Sequence, residues 1–172
     1  EEGLELYRHY LEEVLTKKEH VLSPKEEALL AQMGEIANAP DAIYSMLNDA
    51  DIRFPNIKDE SGNDVEITQG NFIPLMESKN REVRKSAFEG LYHTYESFKN
   101  TFASTLNGCV KKNIAYSKVR KYNSALEASL DEDSIPVSVY DNLIESVHNN
   151  LDSMYKYMEI RKRAMEVDEL HM

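Results

Sequence analysis

The 172-residue chain holds a single cysteine, Cys109, and no tryptophan. One thiol cannot close an internal disulfide, so the fold rests on its apolar core, as suits a reducing compartment. A nucleophilic role for Cys109 needs a neighbouring base. None stands beside it in sequence, and next to Val110 it reads as a small packed residue. No run of about 18 apolar residues occurs, which excludes a membrane-spanning helix. The opening Glu1-Glu2-Gly3-Leu4-Glu5 is acidic and polar, unlike a signal peptide. Both features lead us to expect a cytoplasmic protein without membrane contact. Positive charge is also scarce: 20 Lys and Arg against 31 Asp and Glu leave a net charge of −11. That speaks against a nucleic-acid partner, whose phosphates require Lys and Arg. The basic clusters Lys111, Lys112, Lys118, Arg120, Lys121 and Arg161-Lys162-Arg163 read as solvated helix faces rather than anion sites.

Catalytic motifs are missing too. The histidines His9, His20, His93, His148 and His171 include no pair at i, i+4, and no H-E-x-x-H occurs. That motif places two imidazoles on one helix face for zinc, with a glutamate base between them. The six glycines are scattered, so no phosphate-cradling loop exists, and no G-x-S-x-G elbow is present. Carboxylates are abundant, yet no two stand out as an acid and base pair. No catalytic, metal-binding or cofactor-binding residue is therefore expected in the chain.

What is there is helical patterning. Leu4, Tyr7, Leu11, Val14 and Leu15 recur at three- and four-residue spacing, predicting a helix over 4–18. Ser23, Pro24 and Glu26 form an N-cap, a first-turn proline and a capping box, predicting a helix from Pro24 to about Ala37. A short third helix follows Pro40, carrying Ile43, Tyr44, Met46 and Leu47. Between Ile52 and Ile67 the pattern changes: apolar residues flank the turn-rich stretch 59–64, as in a β-hairpin. Pro55 must then occupy an unpaired position, and so small a sheet must pack on helices. A short helix is expected over 71–77. From Arg81 to Val119 there is no proline, and apolar residues keep close to helical spacing, which predicts one rod of roughly 57 Å. Gly90 and Gly108 within it mark close approach of a neighbour or a bend. Another short helix over 124–130 leads through an acidic connection to a last helix from Pro136 to about Val167. Val139, Leu143, Val147, Leu151, Met154, Met158 and Met165 line one side of it. The methionines read as core filling rather than a flexible binding surface. The fold class is all-α: antiparallel helices, one of them very long, with one small β-hairpin near residues 52–67.

Several strings resemble oligoendopeptidase F, of the thimet-oligopeptidase type of zinc metallopeptidase. They include Leu6-Tyr7-Arg8-His9-Tyr10-Leu11-Glu12-Glu13, the capped stretch from His20 to Leu30, and Ser45–Asp51 followed by Phe54-Pro55 and Ile57–Glu60. The most specific is Phe98-Lys99-Asn100-Thr101-Phe102-Ala103-Ser104-Thr105-Leu106; Ser124–Ala128 and Asp168–Met172 also match. The resemblance runs end to end. It implies a bacterial, cytosolic, helical enzyme that cleaves short peptides in a deep channel. It also implies zinc held by the two histidines of H-E-x-x-H and a downstream glutamate, with the intervening glutamate activating water. None of those residues is present, so no site residue carries over. The resemblance implies an N-terminal helical domain over 1–70 and the opening helices of a peptidase domain over 71–172. The expectation is a fragment of the full-length enzyme, inactive alone, with the remainder of the peptidase domain as its partner and self-association through exposed apolar surface. The alternative is a stand-alone helical binding or adaptor module without catalysis.

Overall fold

The computed structural model describes residues 3–170, in two compact units. The first comprises Leu22–Ala115. It holds helices α2 (Pro24–Ala37) and α3 (Ala39–Ser45), a π-helical turn over Met46–Asp51, strands β1 (Asn56–Lys58) and β2 (Asp64–Glu66), and helices α4 (Phe72–Met76) and α5 (Arg81–Ser97). Helix α6 (Lys99–Val119) contributes its residues up to Ala115.

The capping box of α2 is present in full: Glu26 N–H donates to Ser23 Oγ, and Ser23 N–H to the Glu26 carboxylate. The hairpin pairs Asn56 with Glu66, Ile57 with Val65 and Lys58 with Asp64, antiparallel. Asp59 shapes its turn by accepting from Ser61 N–H at 2.8 Å and Asn63 N–H at 2.9 Å, and Gly62 takes φ +82°. Pro55 precedes β1 and contributes only its carbonyl, which accepts from Ile67 N–H at 3.1 Å. Ile57 and Ile67 then pack with Val83, Ala87 and Leu91 of α5 into the core, flanked by Phe54, Phe72, Leu75, Met76 and Tyr95. The hairpin therefore acquires its stability from α4 and α5, as a two-stranded sheet must.

The rod expected over 81–119 is two helices meeting at Phe98. Thr94 Oγ1 donates to Gly90 O at 2.8 Å and Ser97 Oγ to Thr94 O at 2.6 Å. These hydroxyls compete for carbonyls at the end of α5, a known cause of bending. Phe98 sits at φ −105°, ψ 8°, and Thr101 and Phe102 N–H start the next helix on its carbonyl. The break lies at Phe98, while Gly108 stays inside α6. The expectation of close neighbours does hold at both glycines: a Cβ on Gly90 would lie 2.6 Å from Ile67 Cδ1, and one on Gly108 2.6 Å from Pro40 Cγ.

Among the described residues, the second unit comprises 3–21 and 116–170. It contains a 3₁₀ turn over Glu5–Tyr7, α1 (Arg8–Lys17), a second 3₁₀ turn over Lys18–His20, the end of α6, α7 (Ala125–Asp131), α8 (Val137–Asn149) and α9 (Leu151–Ala164). The last helix, expected unbroken to Val167, is split at Asn150. This residue takes φ −111°, ψ 6°, and its Nδ2 donates to Ser146 O at 2.7 Å. An Asn side chain that bonds local backbone in this way competes with the helix ladder. Helices α6, α7 and α9 end on left-handed residues that are not glycine: Lys121, Ser134 and Glu166. Each closes a Schellman pattern, for example Tyr122 N–H to Ser117 O at 2.9 Å with Lys121 N–H to Lys118 O at 3.1 Å.

The methionines do not fill a core. Met76 packs against it, but Met33, Met46, Met154, Met158 and Met165 are exposed. Their helices turn these faces to solvent, along with many Leu, Val, Ile and Tyr side chains.

Candidate functional site

Three constellations combine polar chemistry with defined geometry. The first joins the start of α3 to α6. Pro40 opens α3 beside Gly108, and this close contact brings Asp41 to the next exposed turn of α6. Asp41 Oδ2 accepts from Lys112 Nζ at 2.6 Å, and Oδ1 accepts from the Cys109 thiol at 3.0 Å. Lys112 also reaches Asn38 Oδ1 at 3.4 Å. The hydrogen bond from Lys112, with a second from Cys109, holds the Asp41 carboxyl below its ordinary range. The same carboxylate raises the Cys109 thiol, chiefly through the hydrogen bond it accepts. Cys109 is thus half-buried and kept as a thiol, the opposite of an activated nucleophile. Lys112, placed by sequence in a basic cluster, is an ion-pair partner of Asp41 rather than part of an open anion site.

The second constellation ties His20 to the end of α6. The His20 ring stacks on Tyr122 with centroids 3.6 Å apart and planes at 12°. Its Nδ1 lies 2.7 Å from Arg120 O, and Arg120 Nη1 donates to His20 O at 3.2 Å. Tyr122 donates its hydroxyl to Asp131 Oδ2 at 2.7 Å, and its phenol is pushed up to about 12, first by burial and then by the bond to Asp131. The reciprocal backbone contacts make this a clamp, and His20 is spent on it.

The third is a shallow depression on the first unit, lined by Arg53, Phe54, Pro55, His93, Thr94 and Phe98. It holds one imidazole and one guanidinium. The Thr94 hydroxyl is already bonded to Gly90 O.

The histidines lie on separate elements: His9 on α1, His20 in the clamp, His93 on α5 and His148 on α8, with His171 outside the described residues. Among the described residues no three His, Cys, Asp or Glu side chains gather as a metal site. The residues present therefore do not fit the zinc that the resemblance implies, and no step of peptide hydrolysis is assigned to them. No signal in the sequence links Asp41 to Cys109 and Lys112, about 70 positions away. The one hint is Gly108, flagged for close approach.

A model described as Oligopeptidase F matches residues 1–54, and the model of peptidase family M3 matches residues 74–172. The chain belongs to peptidase family M3. This M3 chain is 51% identical over 171 residues to Oligopeptidase PepF of Bacillus subtilis (strain 168), which covers 99% of the chain and 26% of that relative. It is 41% identical over 169 residues to the plasmid-borne Oligoendopeptidase F of Lactococcus lactis subsp. cremoris, covering 98% of the chain and 28% of the relative. The crystal structure of oligoendopeptidase-F from Enterococcus faecium superposes with a TM-score of 0.91 at 48% identity, over 100% of this chain and 33% of that one. The chain thus spans about a quarter of the length of the curated relatives it matches. Among the described residues no helix is long and apolar enough to cross a membrane.

Proposed function

We propose that this M3 chain is part of a zinc-dependent metalloendopeptidase of the oligoendopeptidase F type, acting on short peptides inside a helical channel in the cytoplasm. By itself the chain is inactive and serves as scaffold. The observation that carries this reading is a family match over residues 74–172 in a sequence without an H-E-x-x-H helix. Zinc and the residues that hold it lie outside this chain. Its partners are short peptides and the remainder of the peptidase domain, with neither nucleic acid nor membrane among them. A boundary near residue 70, inside the interval between the two family matches, divides an N-terminal helical domain over 1–70 from the opening of the peptidase domain over 71–172, and the hairpin of the first packs on α5 of the second.

The test is turnover of an internally quenched peptide by the purified 172-residue chain, with and without zinc. No turnover is expected under either condition. Cleavage that a chelator abolishes overturns the inactivity. The exposed apolar helix faces favour a second reading, a helical binding module that keeps the peptidase framework without its chemistry. Saturable binding of short peptides by the inactive chain would favour this second reading over a purely structural role.

A further inference from the structure

We draw no further inference here: the strongest candidate, the exposed apolar stripe of Tyr140, Leu143, Ile144, Val147, Met154 and Met158 along α8 and α9, carries none because nothing in the structure shows what covers it.

Discussion

Gly90→Ala sets two known effects against each other at one atom. Glycine inside a helix costs about 1 kcal/mol relative to alanine, so on an open face of α5 the substitution would stabilise. At position 90 the new methyl would lie 2.6 Å from Ile67 Cδ1 and 3.0 Å from Pro55 Cγ. Ile67 is fully buried and its amide is bonded to Pro55 O, so the isoleucine has nowhere to swing and the proline ring cannot bend away. Overpacking of this kind costs about 1–3 kcal/mol. The net expectation for Gly90→Ala is a loss of about 1 kcal/mol. Ile67→Val removes the clashing Cδ1 and by itself costs about 1 kcal/mol as a buried methyl deletion. The double variant combines the shorter side chain with the alanine, so most of the clash is gone and the helix gain returns. Independent effects would add to about 2 kcal/mol; the geometry predicts a loss below about 1 kcal/mol and a coupling of about 1–2 kcal/mol, within the range for residues in contact. Urea denaturation followed by circular dichroism, with unchanged m values, measures all three variants. Additivity within about 0.5 kcal/mol, or a stabilising Gly90→Ala, refutes the reasoning.

Two further predictions concern titrating groups. Tyr122 has its phenol raised from 10.0 to about 12, so in an ultraviolet titration one of the ten tyrosines should ionise late, and Tyr122→Phe should remove that step. Because the folded value is the higher one, the stability this group contributes is complete below pH 10 and is lost as pH rises through about 12. Cys109 should alkylate with iodoacetamide more slowly at pH 8 than a free thiol, and Asp41→Asn should speed the reaction by removing the carboxylate that raises it. An unchanged rate in Asp41→Asn would show that burial alone controls this thiol.

Local features were legible in the sequence wherever the signal lay within a few residues. Ser23 and Glu26 announce α2 because a capping box is closed entirely within one turn. The hairpin follows from alternation around a Gly-containing turn, with Asp59 and Gly62 supplying the turn chemistry. The breaks at Phe98 and Asn150 were not legible, because apolar spacing runs straight across both. They arise from Thr94, Ser97 and Asn150 side chains competing for carbonyls, and the same residue types also occur mid-helix without effect. The ends at Lys121, Ser134 and Glu166 carry no glycine signal, although their backbone takes the conformation that glycine favours.

The misreading of the methionines has a different cause, and it bears on function. Periodicity reports that a helix has an apolar face; it does not report which surface covers that face. Around Ile57, Ile67 and Val83 the covering elements lie within about 35 residues, so pattern and burial agree. Along α8 and α9 the pattern is just as regular, yet Leu143, Val147 and Met154 remain more than half exposed. A chain that encodes a strong stripe and leaves it uncovered has its partner outside its own fold.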